Sequence, residues 1–412
     1  MPRPFRWRLC FVLDVCFVSS ALAYPQDPEQ GQRPTLVRGA FTLESSLGIE
    51  ALDDSNIWES STGVRSSQIW KLAPSLLLRF EPARSRLEFG YKGNIGWYDK
   101  SSDDDYADHA LKAGAYLLLG ERSGLDLVAS YDVTHENRGI GLSAGVNPAS
   151  GAFPQDPNRD TIGQLLARYT YGVSHTRAYV VLEASTEKVD YLNNLVLTRP
   201  FDRDESYGRA TFGVRVQSKT SLELSMQARD ITYDVPSLSG LGLVDSWQFR
   251  YLLGVVWEAT AQTTGTVRVG WLDDKFAGSA YPNFSSLNWE VAIRWSPRTY
   301  SHFDLSTERY AAAPISLSGL VTDTAVYSLG WSHEWNSRLE SKLALSEFEQ
   351  TYRFVTGNPR KDKTPQYSLA LTYKMRPWLR WEAGLDINSR DSPLASYNYK
   401  ENIARLGARI TF

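Results

Sequence analysis

The chain has 412 residues, 44 of them Lys or Arg and 47 Asp or Glu, for a formal net charge of −3. So even a balance leaves no basic surface for a nucleic-acid partner. Two cysteines are too few for a disulfide scaffold or a Cys-based metal centre.

The first residues read as an export signal. MPRPFRWR carries Arg3, Arg6 and Arg8, the apolar run LCFVLDVCFV follows, and Ala21 and Ala23 close an Ala-x-Ala site. This predicts a signal peptide over 1–23, cut after Ala23, although Asp14 interrupts its apolar stretch. Cys10 and Cys16 leave with it, so the mature chain has no thiol and a net charge of −5. Residues 24–34 are expected to form a short periplasmic segment, and 35–412 a single barrel domain.

No later stretch approaches the roughly 18 uninterrupted apolar residues of a membrane helix. The apolar residues alternate instead, a period of two that marks strands with one apolar and one polar face. In RLEFGYKGNIGW, Leu87, Phe89, Tyr91, Ile95 and Trp97 share one face, with Glu88 and Lys92 on the other. WQFRYLLGVVW gives Trp247, Phe249, Tyr251, Leu253, Val255 and Trp257. LNWEVAIRW sets Leu287, Trp289, Val291, Ile293 and Trp295 against Asn288, Glu290, Ala292 and Arg294. In LRWEAGLDI, Trp381, Ala383, Leu385 and Ile387 oppose Arg380, Glu382 and Asp386. Charge is nearly absent from the apolar face, as lipid requires, because Arg or Lys at mid-bilayer costs roughly 2–4 kcal/mol. Trp97, Trp257, Trp271, Trp295, Trp335 and Trp378 stand at strand ends, where aromatic girdles belong.

Eighteen strands are predicted, or sixteen if an irregular loop has been split. Short turns alternate with long loops: EPARS, GERSG, SHTR, QSKTS, ATAQTTG, SPRTYS, EWNSR and MRPW on one side, nine longer connections on the other. That pattern is an all-β transmembrane antiparallel barrel with short periplasmic turns and long extracellular loops. A soluble sandwich or propeller would use the apolar face as its core, and would not need the export signal or the aromatic strand ends. Bulges are expected near RDITYD (229–234) and SEFEQTY (346–352), where the alternation slips.

The chain ends in ENIARLGARITF, with Ala404, Leu406, Ala408, Ile410 and Phe412 on one face. This strand has to pair with the first, near residues 36–50, because an open edge in lipid leaves backbone groups unpaired. Leu406, Ala408, Ile410 and Phe412 resemble the terminal signal by which the barrel assembly machinery of Gram-negative outer membranes recognises its clients. Beyond that class, DDSNIW (53–58), ESYGRATFGVR (205–215) and RDITYDV (229–235) resemble the β-barrel porin family associated with exopolysaccharide and capsule export. The resemblance covers most of 35–412. It implies residence in the outer membrane, contact with its lipids and lipopolysaccharide, a polysaccharide substrate and a periplasmic polysaccharide export protein as partner.

Alternation places charges on the inner face. Downward strands contribute Arg79, Lys112, Arg168, Arg209, Arg215, Arg250, Arg294, Arg405 and Arg409. Upward strands contribute Glu44, Glu88, Asp126, Asp132, Glu183, Glu223, Asp304, Glu340 and Glu382. Antiparallel neighbours then oppose acid to base, worth about 0.2–1 kcal/mol per pair. These residues are candidates to line the lumen, or simply ladders that hold its wall. Three glycine-rich loops, GIGLSAGVNPASGAF (139–153), SLSGLGLVD (237–245) and SLSGLVTD (316–323), are too apolar to extend into water and are expected to fold over the mouth or against each other. None of His109, His135, His175, His302 and His333 sits in a nucleophile or metal motif. The acidic loop SDDDYAD (102–108) lacks the Gly and terminal Glu of an EF-hand. Neither a catalytic site nor a cofactor is expected. A polymer-export channel, a general or solute-specific diffusion porin, and a structural surface barrel without an open pore remain the competing functions.

Overall fold

A computed structural model describes residues 36–82, 84–172, 176–236, 242–257, 262–278, 281–312, 321–354 and 357–412. The expected signal peptide (1–23) and the expected periplasmic segment (24–34) lie outside them. Within them a three-residue strand, β1 (Leu36–Arg38), precedes eighteen barrel strands. These are β2 (Phe41–Asp54), β3 (Ser67–Phe80), β4 (Ser85–Tyr98), β5 (Tyr106–Leu118), β6 (Ser123–Glu136), β7 (Asn158–Tyr171), β8 (Ala178–Tyr191), β9 (Arg203–Gln217) and β10 (Thr220–Tyr233). They continue as β11 (Ser246–Trp257), β12 (Thr263–Phe276), β13 (Phe284–Arg298), β14 (Ser301–Ala312), β15 (Val321–Glu334), β16 (Leu339–Arg353), β17 (Arg360–Arg376), β18 (Leu379–Arg390) and β19 (Tyr399–Thr411).

Each strand pairs antiparallel with its sequence neighbours, and β19 pairs with β2 from Ile403↔Asp54 to Thr411↔Ser46. That closure removes both edges, as the terminal strand requires. The last amide extends it: Phe412 N–H donates to the Ser45 carbonyl at 2.9 Å. β1 occupies the stretch of β2 just below, Leu36↔Leu43 to Arg38↔Phe41.

Eight short turns join the strands at one end and nine longer connections at the other, so both termini of the barrel lie at the short-turn end. The long connections are numbered here L1 (55–66), L2 (99–105), L3 (137–157), L4 (192–202), L5 (234–245), L6 (277–283), L7 (313–320), L8 (354–359) and L9 (391–398). Most of SLSGLGLVD and SLSGLVTD falls outside the described residues.

The outer face is apolar because those side chains have lipid, not a core, to meet. Leu87, Phe89, Trp97, Trp247, Tyr251, Leu253, Trp381, Leu385 and Ile387 are all exposed. Indole N–H groups there have no water to bond and take cross-strand hydroxyls instead: Trp271 donates to Ser285 Oγ at 2.9 Å, Trp289 to Thr307 Oγ1 at 3.0 Å and Trp331 to Ser301 Oγ at 3.1 Å. At the short-turn end, Trp295, Phe303, Trp331, His333 and Trp335 form a continuous run of ring contacts with centroids 4.4–6.4 Å apart.

The two expected bulges do not form. The β10–β11 register runs unbroken from Thr220 to Ile231, and the β15–β16 and β16–β17 registers are continuous. Register shifts occur instead beside short turns, at Thr220/Ser221, Trp295/Arg298 and Lys374/Arg376. In RDITYD the register holds because Arg229 meets Glu205 and Ile231 and Tyr233 pack inward; in SEFEQTY the reason lies in Glu347 and Glu349. Kept in register they point outward, but near the long-loop end, where Lys361 and Lys363 neutralise them from β17 at 2.9–3.5 Å. A strand long enough to project beyond lipid does not need a bulge to hide charge.

Candidate transport lumen

The charged side chains meet on the concave side. Arg79 bonds Glu44 at 2.7 Å and Glu88 at 2.9 Å, tying β2, β3 and β4. Arg168 pairs with Glu183 directly across β7–β8, and Asp126 lies opposite Arg168 on β6. Arg294 and Asp304 form a two-pronged pair at 2.6 and 3.1 Å. Glu340 takes Lys342 at 2.8 Å and Lys374 at 3.5 Å, and Glu382 takes Arg380 at 3.2 Å. Arg405 reaches Asp386 at 3.2 Å by lying flat over Gly384, where a Cβ would come within 2.3 Å of its Nε. Lys112 stands opposite Gly90 and Ser130, and Arg409 opposite Gly48 and Arg380.

The densest group spans β8 to β13. Glu290 receives Arg250 at 2.8 Å, Arg268 at 2.9 Å and Arg209 at 3.6 Å. Arg268 also holds Glu223 at 2.6 Å, and Arg209 comes within 4.0 Å of Glu183. Arg209 on β9 and Glu290 on β13 stand four strand spacings apart, about 19 Å along the wall. Side chains can bridge that distance only where they converge, inside a closed barrel. The sequence rule of bases on downward strands and acids on upward ones reverses here, since Arg268 is on upward β12 and Glu290 on downward β13. Arg215 departs in another way: it bonds the Thr176 carbonyl and hydroxyl in the short β7–β8 turn and stacks on Tyr179, and so anchors the turn.

Near the long-loop end the inner face turns apolar, and loops fold onto it. Inward Leu52, Ile69 and Tyr98 form a buried cluster with Ile57 of L1, joined by Trp58, Tyr106 and Ile403. Inward Ile231 and Tyr233 pack with Val244 of L5 and Tyr281 of L6. L3 is buried as its composition requires: Ile140, Leu142 and Phe153 are nearly inaccessible. Gly139, at φ +94, lies so close to the Trp58 carbonyl that no Cβ fits there. Sequence alone showed that L3 would not extend into water, but not that Arg138 would organise it. Arg138 bonds both oxygens of Asp104 at 2.7 Å, Ser101 Oγ at 3.2 Å and the Pro154 carbonyl at 3.3 Å, with its guanidinium over Trp58 and Phe153. The acidic SDDDYAD loop is thereby tied into the cap.

His175 lies outside the described residues, and the other histidines find partners of ordinary kinds. His135 bonds Asp108 and Asn137, each at 2.8 Å, and stacks on Tyr106. His302 Nδ1 lies 2.8 Å from Ser296 Oγ, a serine that sequence reasoning did not place there. A hydrolytic triad would also need a carboxylate on the second ring nitrogen. Asp304, two residues along β14, gives both oxygens to Arg294. Among the described residues no group of three or more metal-ligating side chains is assembled.

A closed, even-numbered antiparallel barrel with a lipid-type outer face and a charged interior is the fold of the porins and receptors of bacterial outer membranes. The chain belongs to the family described as "Putative beta-barrel porin 2", whose model matches residues 34–412. Among solved structures it is similar to OpdK of Pseudomonas aeruginosa with vanillate, at 11% identity and a TM-score of 0.51, covering 90% of this chain and 99% of that one. The FrpB iron transporter of Neisseria meningitidis, F5-1 variant, is also similar, at 11% identity, a TM-score of 0.47 and coverage of 90% and 82%. No curated protein sequence matches.

Proposed function

We propose that the protein resides in the outer membrane and conducts a secreted exopolysaccharide across it, as a channel rather than an enzyme. The observation that carries this reading is the self-neutralised wall. The carboxylates of Glu44, Glu88, Glu183, Glu223, Glu290, Asp304, Glu340 and Asp386 are each bound to Arg or Lys within the barrel. A wall whose charges are already paired offers hydration without a single-sign ladder, which would retard a charged polymer. A barrel of eighteen strands is wide enough for an aqueous path. On this reading Arg79, Lys112, Arg168, Arg250, Arg294, Arg409, Glu88, Asp126, Glu183, Glu223, Asp304, Glu340 and Glu382 line that path. Lipopolysaccharide surrounds the outer face, the terminal strand ending in Phe412 is read by the barrel assembly machinery, and a periplasmic export protein delivers polymer to the short-turn end. Deleting the gene and assaying surface polymer tests this. Polymer synthesis should continue while surface polymer disappears; unchanged surface polymer would overturn it, and a deletion that impairs only uptake of small solutes would favour a diffusion porin.

A further inference from the structure

We infer that L1, L2, L3 and L9 form a gate across the long-loop mouth, locked by Arg138. Three observations converge on it. First, these loops turn inward: Ile57 and Trp58 of L1 pack on Leu52, Ile69, Tyr98 and Ile403, which face the barrel interior from β2, β3, β4 and β19. Second, the loops reach each other across the mouth. Trp58 Nε1 of L1 donates to Asp104 of L2 at 3.1 Å. Gly139 of L3 abuts the Trp58 carbonyl, and Gly145 of L3 lies under the ring of Tyr397 in L9. L3 follows β6 and L9 precedes β19, five strand spacings away, about 24 Å of wall. A loop that covers this span while its neighbours pack on the inner face crosses the opening rather than the rim.

Third, the fastening is ionic and concentrated. Arg138 is buried and holds L2 through Asp104 and Ser101 and the far end of L3 through the Pro154 carbonyl, between the rings of Trp58 and Phe153. One side chain thus joins three of the loops. A second tie does not depend on ionisation: Arg390, at the top of β18, donates a hydrogen bond to the buried Glu59 carboxyl of L1 at 3.5 Å. Glu59 is one of two described non-glycine residues with positive φ, at +43. Its backbone is held in a conformation that L side chains adopt at a cost, which eases if the cap lifts. Buried ion pairs are strong while complete and unstable once one partner goes, the behaviour of a latch rather than of a permanent apolar plug.

The test uses potassium chloride current through the mature barrel in a planar bilayer, with no polymer present, so it does not depend on the cargo. Arg138→Ala should raise the unitary conductance about twofold or more by releasing L1, L2 and L3 from the aperture. The second variant leaves Arg138 in place. A Cβ on Gly63 of L1 would lie 3.6 Å from Cβ of Pro148 in L3, within the span of a disulfide. The mature chain is expected to carry no competing cysteine. Gly63→Cys with Pro148→Cys should show brief full openings when reduced and lose them when oxidised. Equal conductance in wild type and Arg138→Ala, or equal open probability in the two redox states, would overturn the gate and leave the export reading untouched.

Discussion

Replacing Glu290 with Gln tests whether the β8–β13 charge group holds the barrel wall. Glu290 bonds Arg250 and Arg268 at 2.8 and 2.9 Å and draws Arg209 to 3.6 Å. Its side chain is 17% exposed and that of Arg250 4%, so water cannot replace the lost carboxylate. Removing one partner of a buried pair costs about 3–5 kcal/mol. The Gln oxygen still accepts one hydrogen bond, which places Glu290→Gln near the lower bound, about 3 kcal/mol. Urea unfolding of the barrel in lipid vesicles, read by the shift between folded and unfolded gel mobility, measures it. Adding Arg250→Met to the variant should recover part of the loss by removing a stranded charge. A loss below about 0.5 kcal/mol, the size of a surface pair, would show that the group is screened by lumen water, and the argument for a rigid charged wall would fail.

Three further outcomes are expected. Burial pushes the Glu59 carboxyl above its ordinary value of 4.5, with Asp54 nearby adding to the rise and Arg390 only partly offsetting it. The stability it lends the cap is therefore complete below 4.5 and is lost as pH rises through the higher folded value. Open probability in bilayers should climb over that window in the wild type, and Glu59→Gln should flatten the climb; a parallel slope in the variant would contradict it. Leu369→Arg places a charge on the outer face between Leu343 and Leu385 and should destabilise the barrel by about 2–4 kcal/mol, whereas the same change at an inner position such as Ser368 should cost far less. Deleting Phe412 removes one backbone hydrogen bond to Ser45, about 1 kcal/mol. In vitro refolding should be nearly unchanged while the amount assembled in the outer membrane falls sharply, and equal loss in both assays would make the residue structural only.

Much of this was written in the sequence because a barrel strand is a local object. Alternation in RLEFGYKGNIGW or LRWEAGLDI is enough to assign both faces, and short and long connections in turn fix the strand count and the end at which the chain begins. The pairs Arg79–Glu88, Arg168–Glu183 and Arg294–Asp304 were legible for the same reason: consecutive strands joined by a tight turn set their own register. Arg209–Glu290 was not, since it depends on the curvature that brings β9 and β13 together across three intervening strands. The charges of SEFEQTY misled toward a bulge because alternation says which way Glu347 and Glu349 point but not how far the strand projects beyond lipid. In L3 the composition announced burial, while its partners, Trp58 of L1, Asp104 of L2 and Tyr397 of L9, could be recognised only once those loops stood side by side.

The export reading rests most directly on the response of the channel to polymer. Purified exopolysaccharide from the producing cell, added at the short-turn side of a bilayer holding single barrels, should interrupt the potassium chloride current in long, voltage-dependent blocks that an unrelated polymer does not cause. A current indifferent to that polymer, yet blocked by small solutes, would contradict the account and make the protein a diffusion porin.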